Sequence, residues 1–483
     1  MALTQGKLLE AVPPLVVDLD GTLLRSDLLL ETFLAYVRKT PTGVFSIMHW
    51  WVKGKAKLKE GLALAADLDV AILPYDPAVL ELIRAERLNG RTVVLATASH
   101  RVLAEKISAH LGVFDLVYAT EGELNLSAGR KRDLLVENFG EGGFDYLGNS
   151  RDDVPVWKSA REAVVVNPDR GVERRARQTA RVTQVIESNP PSVRLWLKAL
   201  RLHQWMKNML IFVPLLAAHM LGRPEQLLNG VFAFLCFGLC ASSVYVLNDL
   251  LDLNDDRYHR SKRNRPFAAG RLRIGQGLLV VPLLLVAAFG GAAVLLPWQF
   301  SAVLGAYYLL TLAYSLYLKR QMTVDVIVLA MLYTARIIAG VAAFSVPLTF
   351  WILAFSMFIF LSLALVKRYA ELREARSRDV QAMARGRGYY PGDLDMIASL
   401  GAASGYLAVM VLALYIHDGA TASLYQLPHV IWLACPLLLF WITRVWMLTH
   451  RGEMNDDPVV FAIRDRVSQV IGALFGLVFW IAA

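Results

Sequence analysis

Cysteine is scarce in this chain of 483 residues, which has only three. The three cysteines, Cys236, Cys240 and Cys435, all lie in apolar runs, which favours buried thiols over disulfides. No hydrophobic signal segment precedes Asp18, so we expect the N-terminal half to stay in the cytosol. A chain of this length has room for about two or three domains.

Long apolar runs dominate the chain after Asn208, whereas residues 1 to about 200 have the composition of a soluble protein. A helix of about 20 apolar residues crosses the hydrocarbon core of a bilayer. The pattern predicts nine membrane spans, centred near residues 213, 238, 286, 308, 333, 358, 406, 437 and 475.

Lys and Arg are absent from three of the predicted loops, "LLPWQF", "AFSVPLTF" and "HDGATASLYQLPH", and the first loop contains only Arg223. The loops after the second, fourth, sixth and eighth predicted spans are basic instead. Because basic loops stay on the cytosolic side, we expect these loops and the N-terminal domain to face the cytosol of a bacterial inner membrane.

Polar side chains follow three predicted strands in the N-terminal half. The strands lie in "PPLVVDLDGT", "TVVLATAS" and "FDYLGNSRDDVPVW", and a helix is predicted to begin in "GRKRDLL". Chemistry in open α/β sheets gathers at the carboxyl ends of the strands. The side chains that we expect there are Asp18, Asp20, Thr97, Ser99, Lys131, Asn149, Asp152 and Asp153.

These motifs, over residues 14 to about 157, resemble those of the haloacid dehalogenase superfamily of phosphatases. The resemblance implies a Rossmann-type domain over residues 1–167, with a helical cap at about 28–73. It implies that Asp18 is the nucleophile and Asp20 the general acid and base. Thr97 and Lys131 would hold the phosphoryl oxygens, and Mg²⁺ would neutralise charge beside Asp18.

One position departs from the family pattern, because Asn149 follows Gly148 where an Asp is usual. Asn can bind a metal through its carbonyl oxygen but adds no charge, so Asp152 or Asp153 would have to supply it. The expected Mg²⁺ ligands are Asp18, Asp20, Asn149 and Asp153. The alternative is an inactive copy of the domain that binds or regulates.

An acidic cluster opens "NDLLDLNDDRYHRSKRNRPFAAG", residues 248 to 270. Its members recur every three or four residues, so several would share one helix face. Such groups at the end of a membrane span are costly unless they bind something. Carboxylates beside cations suit a Mg²⁺-diphosphate. The cluster comprises Asn248, Asp249, Asp252 and Asp256, with Lys262, Arg263 and Arg265 following.

This stretch closely resembles the first aspartate-rich motif, NDxxDxxxD, of the UbiA-type intramembrane prenyltransferase superfamily. The resemblance starts at "RLHQWMKN", which contains Lys207, includes "YSLYLKR", which contains Lys319, and runs to near the C-terminus. It implies an all-α membrane bundle over residues 193–483. Residues 168–192 would then be a linker, whose arginines either favour an anionic membrane surface or are simply solvated.

The second acidic motif of that superfamily, DxxxD, is replaced here by "KRYAELREARSRD". Lys367, Arg368, Tyr369 and Glu371 stand where carboxylates are expected, which implies that extra anionic charge must be held. Together with "PVVFAIRDRV", which contains Arg464, this loop resembles the decaprenyl-phosphate 5-phosphoribosyltransferase branch. That branch implies phosphoribosyl pyrophosphate as donor and a polyprenyl phosphate as acceptor, with no nucleic-acid partner.

The resemblance implies a role for each group in the membrane domain. Asn248, Asp252 and Asp256 would hold Mg²⁺ on the leaving diphosphate, while Lys262, Arg263 and Arg265, or Lys319, would add positive charge. Lys367 and Arg368 would hold the 5-phosphate or the lipid phosphate. Glu371 or Asp325 would stabilise the anomeric carbon, although Asp325 could equally be a packing partner of Arg336.

The transfer product would be a phosphomonoester, the usual substrate class of the N-terminal domain, so the fusion would catalyse consecutive steps on one lipid. The alternative is a prenyltransferase with an aromatic acceptor, fused to an unrelated or inactive phosphatase-like domain. A complete second DxxxD motif would favour that alternative, and the sequence lacks one.

Overall fold

The computed structural model describes residues 12–122, 125–188, 190, 192–376, 388–418, 425–454 and 457–482. The chain folds as two compact units. The first unit comprises Met1–Leu200 and Tyr245–Val280, and the second comprises Arg201–Val244 and Val281–Ala483. The sequence instead predicts a single membrane domain over 193–483. The structure places the aspartate-rich loop, residues 248–270, in the first unit together with the N-terminal fold.

A parallel sheet of six strands forms the centre of the first unit, in the order β3-β2-β1-β4-β5-β6. Successive side chains of a strand point to opposite faces. Accordingly Leu15 and Val17 join one hydrophobic core and Val16 joins the other. The predicted parallel α/β fold is confirmed. The strands are β1 (Leu15–Val17), β2 (Val93–His100), β3 (Leu116–Thr120), β4 (Asp145–Gly148), β5 (Glu162–Val166) and β6 (Val182–Ile186).

Nine helices accompany this sheet up to residue 200 of the described chain. The first begins at an N-cap, where the Asp27 carboxylate accepts the backbone N–H groups of Leu29 and Leu30. The helices are α1 (Leu28–Lys39), α2 (Val44–Val52), α3 (Lys55–Ala65), α4 (Pro77–Leu88), α5 (Arg101–Leu111), α6 (Ala128–Phe139), α7 (Val154–Ser159), α8 (Val172–Thr179) and α9 (Val193–Ala199). Residues 28–73 form α1 to α3 and two short 3₁₀ turns, Pro41–Gly43 and Val70–Ile72.

The segment 168–192 differs from the predicted linker, because it contains α8 and the edge strand β6. Val182, Val185 and Ile186 pack against the two cores of the sheet, which stabilises this segment as part of the fold. Thr183 and Gln184 between them are exposed, as an edge strand allows.

After residue 200, the secondary structure of the described chain is entirely helical. The α-helices are α10 (Val213–Ala217), α11 (Pro224–Leu251), α12 (Leu253–Tyr258), α13 (Ile274–Leu295), α14 (Trp298–Leu316), α15 (Val324–Phe344), α16 (Phe350–Arg376), α17 (Leu394–His417), α18 (Ala434–Arg451), α19 (Pro458–Arg464) and α20 (Arg466–Ala482). The main core of the second unit lies among α15 to α18 and includes Tyr333, Phe360, Leu412 and Ile442.

Six helices in the described part of the chain are long and apolar enough to cross a membrane, or seven if α19 and α20 form one span bent by 82°. The prediction of nine spans is not confirmed. Near residue 213 the chain forms a 3₁₀ helix, Leu202–Phe212, followed by only five α-helical residues. Pro214 removes a backbone donor there, and Lys207 and Asn208 shorten the apolar run. Near residue 308, α14 is a 19-residue helix that is not among the six.

A buried ion pair joins α1 to α12 within the first unit. The Arg257 guanidinium donates to both carboxylate oxygens of Glu31, at 3.0 and 2.6 Å, and its Nε donates to the Ala268 carbonyl at 2.9 Å. The two side chains are 4% and 1% exposed. Ser26 donates a further hydrogen bond to Glu31 at 2.5 Å. Residues 245–280 are thereby held against the N-terminal fold.

We expect Glu31→Ala to lower the free energy of unfolding of the first unit by about 3–5 kcal/mol, because it leaves the Arg257 charge buried without a partner. The matched control is Arg177→Ala, which breaks the exposed pair with Glu173 and should cost only about 0–1 kcal/mol. Denaturant unfolding of the full chain measures both values. Equal losses in the two variants would contradict the prediction.

Candidate active sites

The carboxyl end of β1 positions the two predicted catalytic aspartates. The backbone N–H of Asp18 donates to the Leu147 carbonyl of β4 at 3.0 Å, which fixes the loop between the two strands. Gly21 turns the chain with a φ of +78°, and a Cβ at this position would collide with the Asn149 amide. Asn149 therefore lies beside the turn that follows Asp18 and Asp20.

Asp18 and Asp20 lie in different electrostatic surroundings. Burial raises the pKa of Asp18 to about 6, although the Lys131 ammonium, 2.7 Å away, acts against this shift. Burial, followed by the charge of Asp27, raises the pKa of Asp20 to about 7. Asp20 accepts hydrogen bonds from the Leu28 N–H at 2.8 Å and the Ser99 hydroxyl at 2.6 Å. A raised pKa favours proton exchange near neutral pH, which suits the general acid and base expected at Asp20.

Lys131 is held by a buried chain of hydrogen bonds. Its ammonium donates to the Tyr146 hydroxyl at 2.9 Å, and Tyr146 donates to Asp153 at 2.7 Å. The other Asp153 oxygen accepts the backbone N–H groups of Asn149 at 3.0 Å and Ser150 at 2.9 Å. Asp153, predicted as a metal ligand, thus uses one oxygen to accept from Tyr146 and the other to hold the loop after β4. Sequence reasoning missed Tyr146, which looks like an ordinary strand residue.

The residues at this end of the sheet offer few ligands for a metal ion. Within the described ranges, no group of three or more His, Cys, Asp or Glu side chains could hold a metal ion. Asp18 and Asn149 still supply oxygen atoms beside the Gly21 turn, and oxygen donors suit Mg²⁺. Asp18 and Asn149 thus fit as part of a Mg²⁺ site, whereas Asp153 does not.

Two further residues complete this end of the sheet. Thr97 is fully buried, and its hydroxyl accepts the Ser99 N–H at 3.0 Å. Lys59 reaches from α3 to the Ala98 carbonyl at 2.6 Å and the Asn125 side chain at 2.8 Å, and burial lowers its pKa. Sequence reasoning missed Lys59, since no motif includes it.

The aspartate-rich cluster lies where α11 ends and α12 begins. Arg265 donates to Asp249 at 3.1 Å and to Asp256 at 2.7 Å, so it links carboxylates from the two helices. Burial raises the pKa of Asp256, and the Arg265 charge opposes this shift. Asn248 and Asp252 are half-buried, whereas Lys262 and Arg263 are exposed.

Arg38, at the end of α1, also contacts this cluster. Its guanidinium forms ion pairs with Asp252 and with Asp255, the latter at 2.5 Å, and donates to the Leu251 carbonyl at 3.1 Å. The N-terminal fold thus supplies a counter-charge to the aspartate motif within the first unit. No sequence pattern indicated this contact, because it joins positions more than 200 residues apart.

Two predicted cations of the second unit converge on one carboxylate. Lys207 donates to Asp457 at 2.6 Å, and Lys367 donates to the same oxygen at 3.5 Å. The Tyr333 hydroxyl lies 3.0 Å from both Asp457 oxygens. These four residues, named here the lysine cluster, contain two ammonium groups and one carboxylate. Sequence reasoning missed Asp457, although an Asp directly before Pro458 is a common helix cap.

Arg368, next to Lys367 in sequence, has a different environment. Its side chain is 1% exposed and donates to Asp325 at 2.5 Å and to the Tyr314 hydroxyl at 3.1 Å, with a further ion pair to Glu371. These contacts occupy the guanidinium, so Arg368 links α16 to α15 and its predicted phosphate contact has no support. Because Asp325 and Glu371 pair with Arg368, their predicted role at the anomeric carbon has none either.

Asp325 pairs with Arg368, and the alternative pairing of Asp325 with Arg336 stays a prediction. Arg336 donates to Asn208 at 3.1 Å, to the Tyr307 hydroxyl at 3.2 Å and to the Leu332 carbonyl at 2.5 Å. The three other predicted residues of the second unit lie elsewhere. Tyr369 is bonded to His450 at 3.0 Å, Lys319 is half-buried in the 3₁₀ turn Leu318–Arg320, and Arg464 is exposed at the end of α19.

A parallel α/β domain with an Asp-x-Asp loop, followed by apolar helices with an aspartate-rich loop, defines a membrane transferase fused to a hydrolase-like domain. Residues 209–468 match the UbiA prenyltransferase family, and residues 15–156 match the haloacid dehalogenase-like hydrolases. The chain belongs to the UbiA prenyltransferase family and carries a haloacid dehalogenase-like domain at its N-terminal end. It is a multi-pass membrane protein.

Three relatives show how far the similarity extends. The uncharacterized protein y4nM of Sinorhizobium fredii is 39% identical, over 97% of this chain and 91% of that protein. The nodulation protein NoeC of Azorhizobium caulinodans is 38% identical, over 58% of this chain and 92% of its own. A decaprenyl-phosphate phosphoribosyltransferase of Mycobacterium tuberculosis is 33% identical, over 57% of this chain and 89% of its own.

Proposed function

We propose that this protein is a bifunctional membrane enzyme. Its membrane part transfers 5-phosphoribose from phosphoribosyl pyrophosphate to a polyprenyl phosphate and releases pyrophosphate. Its N-terminal domain then removes the 5-phosphate from the lipid product. The observation that carries the substrate proposal is the lysine cluster, and the name of the Mycobacterium tuberculosis relative supports it.

The charge of the lysine cluster favours an anionic ligand. Lys207 and Asp457 are each 9% exposed and Lys367 is 31% exposed, so two ammonium groups share one buried carboxylate. An uncompensated cation inside a membrane protein is costly unless it binds an anion. A phosphate of the sugar donor or of the lipid acceptor would supply that charge, whereas a neutral aromatic acceptor would not.

The aspartate cluster suits the leaving diphosphate. Asn248, Asp252 and Asp256 offer the oxygen donors that Mg²⁺ prefers, and both families are typically Mg²⁺-dependent. Mg²⁺ bound there would neutralise the developing charge of the diphosphate. Arg265, which now links Asp249 to Asp256, can donate to the diphosphate when the metal neutralises those carboxylates.

The transfer step needs no base on the protein. An ionised oxygen of the lipid phosphate attacks the anomeric carbon of the ribose, the bond from that carbon to the diphosphate breaks, and pyrophosphate leaves. In the N-terminal domain Asp18 then attacks the 5-phosphate, and Asp20 protonates the ribose oxygen that leaves. Lys131 holds a phosphoryl oxygen, and water hydrolyses the aspartyl phosphate with Asp20 as base. The basic loops support a cytosolic location for both steps, at a bacterial inner membrane.

Asp18→Asn should block phosphate release while lipid transfer continues, because the nucleophile serves only the second step. The phosphorylated lipid should then accumulate when the purified full chain receives both substrates. Mass spectrometry of the extracted lipids measures the two products. Formation of the dephosphorylated lipid at the normal rate would refute the role of Asp18.

Asp252→Asn should have the opposite effect, since it removes a metal-directed charge from the transferase. Loss of such electrostatic stabilisation typically lowers a rate on the order of 100-fold or more. Hydrolysis of a presynthesised phosphoribosyl lipid by the same variant should persist. If both activities fell together in a well-folded variant, the two steps would not use separate sites.

Lys367→Ala should weaken binding of phosphoribosyl pyrophosphate or of the lipid phosphate by about ten- to a hundredfold, because a charge-assisted hydrogen bond contributes roughly 1.5–3 kcal/mol. Isothermal titration with each substrate measures the change. Arg368→Ala should instead lower stability, since it leaves the Asp325 carboxylate buried without its partner. Arg223→Ala, which removes an exposed cation, is the control. Normal affinities in Lys367→Ala would favour a prenyltransferase with a neutral acceptor.

A further inference from the structure

Helix α2 exposes an apolar stripe. None of its residues is buried, although its sequence, VFSIMHWWV, is strongly apolar. The exposed side chains recur at helical spacing, so they share one face. They are Val44 at 44%, Phe45 at 79%, Met48 at 57%, Trp51 at 65% and Val52 at 83% exposure.

The opposite face of α2 holds the helix on its domain. The Trp50 ring lies against the Tyr36 ring of α1, with centroids 5.5 Å apart, and against Gly61 of α3, where a Cβ would collide with it. Trp50 is half-buried, unlike its neighbour Trp51. The packing of the domain therefore accounts for one face of α2 and leaves the outer stripe unexplained.

Basic residues follow the stripe directly. Lys53 and Lys55 are exposed on either side of Gly54, and Lys57, whose ammonium pairs with Glu60 at 2.8 Å, comes one turn later. A short helix with tryptophan and other apolar side chains on one face, flanked by lysines, has the composition of helices that lie in a membrane interface. Lysines next to such a helix are attracted to anionic lipid headgroups.

We propose that α2 inserts its outer stripe into the interface of an anionic bilayer. A bilayer is the partner that we expect for this stripe, because the same polypeptide has at least six helices that are long and apolar enough to cross a membrane. The role of this contact rests on the proposed function: it would bring the cap formed by α1 to α3 to the surface where a lipid-borne phosphate lies. Insertion itself does not depend on which lipid is dephosphorylated.

Site-specific fluorescence tests the insertion in the full chain. In a background with Cys236, Cys240 and Cys435 replaced by Ala, Met48→Cys is labelled with an environment-sensitive dye and the protein is placed in nanodiscs of phosphatidylcholine and phosphatidylglycerol. Doxyl-labelled lipids should quench this dye. The control is Leu88→Cys on α4, an apolar position of 89% exposure, which should not be quenched.

The remaining outcomes decide the proposal. Equal quenching at positions 48 and 88, or no quenching at position 48, would overturn the proposal. Shielding of position 48 that increases with protein concentration would also overturn it, because it would indicate that a second copy of the chain covers the stripe. Lys53→Gln with Lys55→Gln should reduce the quenching more in anionic than in neutral nanodiscs. The quenching measurement does not depend on catalysis, so it tests the insertion of α2 even if the proposed reaction is wrong.

A kinetic comparison tests the role of the insertion. Phe45→Ser with Trp51→Ser should raise KM for a lipid-linked phosphomonoester by about tenfold or more, because interfacial binding scales with the apolar area inserted. Hydrolysis of soluble p-nitrophenyl phosphate should be unchanged, which also reports that the domain is folded. Equal KM values for the lipid substrate before and after substitution would overturn the role of α2 in substrate access.

Discussion

The ion pair between Glu31 and Arg257 is the contact on which the organisation of the first unit depends. Both side chains are buried, so separating them would leave an uncompensated charge inside the protein. The pair holds α1 of the N-terminal fold to α12 of the aspartate-rich loop. Within the first unit, the N-terminal fold is therefore packed directly against residues 245–280.

This constraint makes α1 a direct connection between Asp20 and the aspartate-rich cluster. At its first turn the Leu28 N–H donates to Asp20, and at its last turn Arg38 pairs with Asp252 and Asp255. Glu31 and Arg38 are two helical turns apart and so share one face of the helix. A metal that bound at Asp252 would have to share that carboxylate with Arg38 or displace it. Such binding would change the charge balance at one end of α1, while the other end of the helix contacts Asp20.

The sequence was sufficient for features that depend on local patterns. The buried strand before Asp18, the helix that contains Lys131 and the parallel sheet all follow from short motifs and their order. Partners distant in sequence were not predictable, because no local pattern links Arg38 to Asp252 or Lys207 to Asp457. Apolar length alone also did not predict the 3₁₀ segment near residue 213, where Pro214 and the polar residues before it interrupt the apolar run.

Lys367 and Arg368 show most clearly what a motif cannot separate. Adjacent residues of an α-helix point about 100° apart, so the two side chains of one basic pair meet different surroundings. Arg368 points to Asp325 and Tyr314, where a rigid guanidinium with several donors can link two helices. Lys367 points to an Asp457 carboxylate that already accepts from Lys207. The first arrangement sets one guanidinium against the carboxylates of Asp325 and Glu371 and links two helices. The lysine cluster instead sets two ammonium groups against one carboxylate, and this balance among its described residues favours an anionic ligand.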